Sequence, residues 1–574
     1  MPIGVLSSYG LAVIAAMTAS CSSNEDLGTA GPGTGTNETG VGYATFTINL
    51  PSVSGTRAVD AGGAEMNEGT AKEYAVKSAT ALIFQKYGSD EGSCKFVESV
   101  DLSTAAADWT DDTTVGITTT KKLVAKLTNV DTKNQYYVLV LLNNNKKTGG
   151  VKVALPTVGQ SYNEWNRQIL TPSVDDLAAD NDFYMANAPL KGTASPTTLV
   201  TIDKENIYSS KEKAEAGTSA ATVYVERGVA KMSVTDPTTK TVIDKATNDS
   251  TKSTVKFNNW ALDITNKKTY AVHNIDGLST DFPAIWTTPR FIGTNSRVYW
   301  GKDPNYNLDN LNKKEADREA EFNFIKATSG INKTFTESAY CLENTFNLAN
   351  MYQGQTTRVI FKATYTPKDV AGNPLADKDG TFYTIGNMTT ILKEAALETA
   401  VNTAATSVLP GCTVDYTNLK QEGSHVITLA DIKDSTGTTL VADKVYSGKT
   451  GTKIVKEIND KLGLIDGAGH AEAMVGINTY AQGVTYYIAR VKHFGSLTPW
   501  NSGESYGTDN GKYLGRYGML RNNWYELTVG NVYGPGYPGV PPVDPNQPDD
   551  ENEKYLSVSV KILSWAKRSD IVDL

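Results

Sequence analysis

The chain has 574 residues, a formal net charge of −9 and a pI near 5.3, with 40% hydrophobic and 20% charged residues. At about 150 residues per domain, that length sets a prior of three to four domains, or two large ones. The acidic balance excludes a broad basic surface for nucleic acid. Charge is scarcer than the roughly 25% usual in soluble proteins, and Thr, Asn, Ser and Gly supply the polarity instead.

The four cysteines, Cys21, Cys94, Cys341 and Cys412, form no Cys-x-x-Cys pair, which excludes a zinc ribbon. The four histidines, His273, His425, His470 and His493, form no His-Glu-x-x-His, which excludes a zincin. No phosphate-cradling Gly-x-x-x-x-Gly-Lys-Ser/Thr occurs. The composition points away from an enzyme, and no cofactor or metal is expected.

Gly10–Ala19 is apolar but shorter than the roughly 20 residues a membrane span needs. It runs into Thr18-Ala19-Ser20-Cys21, which resembles a bacterial lipoprotein signal cut before Cys21, with lipid (palmitate) added to the thiol. That pattern prefers Leu, Val or Ile where Thr18 stands. No Lys or Arg precedes Arg57, so the usual basic start is missing; a start upstream of Met1 would supply it. The alternative is a disordered leader with a chance cysteine. A single acyl anchor tethers without spanning. From Asn24 to Gly42 almost nothing is apolar, which makes this stretch a flexible tether.

Tyr43–Leu50 alternates, with Ala44, Phe46, Ile48 and Leu50 on one face and Thr45, Thr47 and Asn49 on the other, which predicts a half-buried strand. Pro51 ends it, and the soft stretch to Glu68 holds Arg57-Ala58. Strands are predicted at Ala79–Phe84, Lys122–Leu127 and Gln135–Leu142, and one or two short helices around Tyr162–Leu177. The short strands with polar turns point to a sandwich. After the polar run Ser209–Ser219, a new β-rich run begins at Ala221, where a domain boundary is placed to within 20 residues. The second half adds strands at Ala221–Val234, Val255–Phe257, Trp260–Ile264, Thr357–Tyr365, Thr485–Val491 and Trp524–Val529. Helical spacing marks Lys313–Lys326, Thr389–Ala404 and Thr452–Leu462. From Pro535 to Pro548, six of fourteen residues are proline, a stiff extended spacer. Acidic Asp549–Glu553 follows, and then Tyr555–Trp565 alternates, with Leu556, Val558, Val560 and Ile562 on one face. A strand carried so far from its neighbours must pair far back in the chain, or in another chain.

In order, Tyr340–Phe346, Thr356–Tyr365, Thr485-Tyr486-Tyr487, Lys492-His493, Gly515–Tyr525, the Pro-rich spacer and the Val-rich strand ending at Trp565 resemble the fimbrillins of type V pili of Bacteroidia, closest to the minor-fimbrium shaft subunit. Asp182–Asn187 and Val225–Lys231 match more loosely, and the amino-terminal half is divergent. The resemblance implies a mainly β fold of two transthyretin-like β-sandwich domains with a few short helices. It divides the chain into a signal peptide (1–20), a tether and first strand removed on maturation (21–57), an amino-terminal domain (58–220), a carboxy-terminal domain (221–534), the spacer (535–554) and a donor tail (555–574). It also implies an arginine-specific maturation protease cutting between Arg57 and Ala58. The ejected strand is Tyr43–Leu50, with Tyr43, Phe46, Ile48 and Leu50 as its site residues. A neighbouring subunit's tail replaces it, through Leu556, Val558, Val560, Ile562, Trp565, Ile571, Val572 and Leu574. Residues 555–565 are expected to pair at least partly within their own domain, and the remainder to Leu574 to be the exchanged portion. The partners implied are identical subunits in a head-to-tail polymer with tip and anchor fimbrillins, at the cell surface, from a lipid-anchored outer-membrane precursor; adhesion is the service performed. The physics of the residues agrees: Arg57 is the first basic residue, in an exposed-looking loop, and a vacated groove suits an alternating strand.

Rival readings are a tip or anchor subunit, a monomeric glycan-binding surface lipoprotein and a secreted hydrolase. The hydrolase rests on Gly503-Glu504-Ser505-Tyr506-Gly507 alone, which lacks the flanking strand, helix and later His of a nucleophile elbow. Asp377–Gly380 reads as a turn rather than a calcium loop. Tyr486, Tyr487 and Trp524 read as core rather than a sugar platform. Cys341 and Cys412 are either bridged or buried as free thiols.

Overall fold

The computed structural model describes residues 35–50, 69–102, 120–191, 196–282, 298–308, 314–347, 350–386, 388–464, 476–493 and 514–545, and the backbone of 66–67 and 556–565. It is mainly β. The first unit contains β1 (Gly42–Asn49), the short α1 (Ala71–Tyr74), β3 (Ala79–Gln85), β4 (Lys95–Asp101), β5 (Thr120–Leu127) and β6 (Tyr136–Leu142), while β2 (Met66–Asn67), between β1 and α1 in the chain, pairs in the sheet of the second unit. It continues through β7 (Met185–Asn187), β8 (Val200–Ile202), β9 (Ile207–Tyr208), α2 (Lys211–Ala216) and β10 (Ala221–Arg227). Short helices at Tyr162–Asn166 and Val174–Leu177 lie where the irregular spacing predicts them.

β10 belongs to two stretches of sheet. Its residues 221–224 run parallel to β1, and 225–227 pair antiparallel with β7, which leads on to β6, β3 and β4. The alternating apolar faces of both stretches meet in one core, where Phe46 and Ile48 join Leu123, Ala125, Ile83 and Val138. Period-2 alternation places those residues inward on every strand.

At Val229–Ala230 the chain passes from the first core to a second. There follow β11 (Ala230–Val234), β12 (Thr239–Ile243), β13 (Ser250–Asp263), β14 (Ala339–Cys341) and β15 (Arg358–Thr366). The predicted run Ala221–Val234 is thus two strands in different cores. Conversely, the two strands predicted at Val255–Phe257 and Trp260–Ile264 are one, β13, with an irregularity in its pairing between Phe257 and Asn259. The extra residue lets the strand keep pairing with β15 while its faces shift.

Between β15 and the next long strand lies an insertion with its own hydrophobic core. It comprises β16 (Phe382–Ile385), α3 (Glu394–Val408), β17 (Gly423–His425), α4 (Gly451–Leu462) and β18 (Ile477–Tyr480). β18 lies between β16 and β17. Leu397, Val401, Ala405, Ile454 and Ile458, at helical spacing, face one another inside. Phe382 and Tyr480, at the two ends of the insertion, stack with ring centres 4.4 Å apart inside the second core.

The chain closes with β19 (Val484–Arg490), β20 (Asn523–Val532) and β21 (Leu556–Trp565). One sheet runs β12–β13–β15–β19, and β12 touches β20 at Val242 and Val532. β20 pairs parallel with β11 on one edge and antiparallel with β21 on the other. The stack at the root of the insertion should matter to the whole second unit. Phe382→Ala is expected to destabilise it by about 3–5 kcal/mol, read by denaturant unfolding.

Candidate functional site

β1 is enclosed on every side. β5 pairs antiparallel along its full length, from Gly42–Leu127 to Asn49–Thr120. On the opposite edge β9 pairs with Tyr43 and Ala44, and β10 with Phe46 to Asn49. Ala44, Phe46, Ile48 and Leu50 are buried in the first core. The other face lies under α2 and the turn after it: the Thr45 hydroxyl donates to the Ala214 carbonyl at 2.6 Å, and Thr47 Oγ1 lies 2.6 Å from Ser219 Oγ. The strand is half-buried as its alternation predicts, with α2 adding cover on the second face at Thr45, while Tyr43, Thr47 and Asn49 stay partly exposed.

Burying each large apolar side chain stabilises by roughly 1.5–3 kcal/mol. For Phe46, Ile48 and Leu50 that makes on the order of 5–9 kcal/mol, comparable with the ~5–15 kcal/mol that holds a typical protein folded. Two rows of backbone groups would be left unpaired as well. An empty slot here has to be refilled.

β21 stands in contrast. It pairs with β20 from Leu556–Val532 to Asn523–Ser564, and among the described residues only Met66 and Asn67 of β2 are hydrogen-bonded on its far side, next to Ser564 and Trp565. Thus the segment bearing Leu556, Val558, Val560, Ile562 and Trp565 lies in its own chain. Cys21, Arg57, Ala58, Ile571, Val572, Leu574 and the Gly503–Gly507 motif fall outside the described residues.

Among the other residues singled out above, Cys341 and Cys412 are buried free thiols in separate cores. Asp377 caps α3, its Oδ2 accepting from the Glu394 amide at 3.0 Å, and Gly380 closes a turn back to the Asp377 carbonyl. Tyr486 and Tyr487 are buried, their hydroxyls donating to Glu422 at 2.8 Å and to the Gly534 carbonyl at 2.8 Å.

A buried polar network joins the two cores. Glu73, on α1, takes the Lys231 ammonium at 2.7 Å and the Tyr340 hydroxyl at 2.5 Å. The Arg227 guanidinium donates to the Glu73 carbonyl at 2.9 Å, and the Lys231 ammonium also lies 3.5 Å from the centre of the Trp524 ring. Nearby, His273 meets Glu226 at 2.8 Å, and Arg521 meets Glu343 at 3.1 Å. In Val225–Lys231, three charged residues interrupt an otherwise strand-like run; that interruption is the one sequence trace of the network.

Residues 478–570 match the family model described as major fimbrial subunit protein type IV, fimbrillin, C-terminal. The match runs from β18 through β20 and β21. No curated protein matches the chain. Among solved structures, a protein described as a cell adhesion protein from Parabacteroides distasonis ATCC 8503 aligns over 92% of this chain and 99% of its own, at 11% identity and a TM-score of 0.34. A fimbrial assembly protein from the same organism aligns over 61% and 93%, at 13% identity and a TM-score of 0.26.

Burial raises the Glu73 carboxyl, but the Lys231 charge and the bonds from Lys231, Tyr340 and Thr70 outweigh it and hold the group below its ordinary 4.5. A carboxyl depressed in the folded state contributes stability that is full above pH 4.5 and lost as pH falls through the folded value. Lys231→Met leaves that carboxylate buried without its partner and should cost about 3–5 kcal/mol at pH 7. The gap from the unaltered protein should narrow below pH 4.5, as measured by thermal melts across pH.

Proposed function

We propose that this chain is a structural subunit of a cell-surface fimbrium, that it serves in the shaft, and that it polymerises when its first strand is cut away and replaced by the tail of a neighbour. The observation that carries the reading is the enclosure of β1 in a slot that cannot stay empty, in a chain whose carboxy-terminal part matches the fimbrillin model. Arg57, between β1 and β2, is the proposed cleavage point for an arginine-specific protease, and Ala58 becomes the new amino terminus. Cys21 is the proposed lipid attachment site of the outer-membrane precursor. Head-to-tail pairing that does not close on itself produces a filament. Other fimbrial subunits, at tip and anchor, are the remaining proposed partners.

While β1 remains in the chain it competes with any neighbour at high effective concentration. Treatment with an arginine-specific protease should therefore convert a monomer into polymer on size exclusion, and Arg57→Ala should stay monomeric after the same treatment. Normal filaments from Arg57→Ala would refute cleavage at that bond as the trigger. Cys21→Ala should move the precursor out of the membrane fraction; unchanged partitioning would refute lipidation there.

A further inference from the structure

We infer that the segment that takes the place of β1 is Tyr555–Ile562 of a second copy of this chain, running in the direction of β1 and matched residue for residue to Tyr43–Leu50. The inference rests on the strand-replacement reading above and fixes its register. Tyr-Ala-Thr-Phe-Thr-Ile-Asn-Leu stands in one and Tyr-Leu-Ser-Val-Ser-Val-Lys-Ile in the other. Both open on tyrosine. Both then place apolar side chains at the second, fourth, sixth and eighth positions, hydroxyls at the third and fifth, and a polar side chain at the seventh.

Alternation alone is common to strands. The two hydroxyls are more specific, because the slot uses them. The Thr45 and Thr47 hydroxyls bond to Ala214 and Ser219 beneath α2. An apolar side chain at the Thr45 position would leave the Ala214 carbonyl with only the longer 3.3 Å bond from the Gly217 amide. Ser557 and Ser559 bring a hydroxyl to each place. Reversing the segment so that all four apolar side chains stay inward would put Lys561 at the Thr45 position, which is 1% exposed. The reversed register that keeps both serines in place would put Lys554 at the Leu50 position, which is 4% exposed. Either buries an ammonium. The match ends at Gly42, where a Cβ would lie 2.7 Å from Ile207 Cγ2. Lys554 stands at that position, so the seated part begins at Tyr555.

The last residues do not meet these demands. In 566–574, one face of a strand would carry Ala566, Arg568, Asp570, Val572 and Leu574, and the other Lys567, Ser569, Ile571 and Asp573. Neither is apolar throughout. In its own chain, among the described residues, β21 is hydrogen-bonded along its length on one edge, to β20, and to two residues of β2 on the other. The slot offers β5 along one edge, and β9 and β10 along the other.

Cysteine pairing reads the register. Thr47 Oγ1 lies 2.6 Å from Ser219 Oγ, which makes these two positions the pair to test for a disulfide, and Cys94, Cys341 and Cys412 are buried. In a full-length Cys21→Ala background, Ser219→Cys chains are mixed with Ser559→Cys chains, cut with arginine-specific protease and mildly oxidised. The uncut Thr47→Cys/Ser219→Cys chain, which should close an internal disulfide, controls for geometry. Disulfide-linked dimers from the Ser219→Cys and Ser559→Cys mixture are expected, and none when Ser557→Cys replaces Ser559→Cys. Filaments that link Ser219→Cys to Ser569→Cys instead, or to none of these, overturn the register and leave strand replacement standing. If the unaltered chain forms no filament after the cut, both readings fall. A chain lacking Lys567–Leu574 should still assemble; its failure to do so with an unchanged melting temperature also overturns the register.

Discussion

In the first sheet, β1 is the strand through which β5 is hydrogen-bonded to β10. Nearly everything else in the first unit takes its position from that: the two stretches of sheet share a core only because β1 fills the space between them, and α2 has something to cover only because β1 lies beneath it. A strand at the edge of a sheet can be lost with limited damage. One with partners on both edges and its apolar face fully buried is part of the hydrophobic core.

The two units are coupled by charges as well as by packing. Buried ion pairs seldom add much net stability, since desolvation cancels most of the attraction, but they are exacting about geometry. Glu73 has to face Lys231 and Tyr340 together, and Arg227 has to reach back to the Glu73 backbone. An apolar junction would tolerate sliding. This one has few satisfactory arrangements, and it fixes how the two cores sit against each other.

Much of the β framework was legible because alternation has an unambiguous physical cause. Tyr43–Leu50, Thr357–Tyr365 and Trp524–Val529 each bury every second residue, and the observed strands follow them within a few residues. The helices at Glu394–Val408 and Gly451–Leu462 were legible from their spacing, but not the separate core they share, because that core depends on which distant segments face each other. Burial of Glu226, Arg227 and Lys231 was hidden for the same reason: Glu226 finds its partner at 273 and both Arg227 and Lys231 find theirs at 73, and nothing local distinguishes them from solvated charges. The cover over β1 was missed because α2 lies in Ser209–Ser219, a stretch so polar that it reads as linker.

The stacked pair at the root of the insertion has a different kind of consequence. Because Phe382 and Tyr480 bring the outgoing and returning chain together at one point, whatever lies between them leaves the sandwich and comes back to the same place. The sandwich is indifferent to how long that excursion is, provided the root closes. Sequence change within residues 386–476 is thereby largely separated from the strands that hold the second core together, apart from contacts such as Glu422 with Tyr486 and Ile391 with the second core. The rest of the insertion can diversify while the scaffold beneath it stays constant.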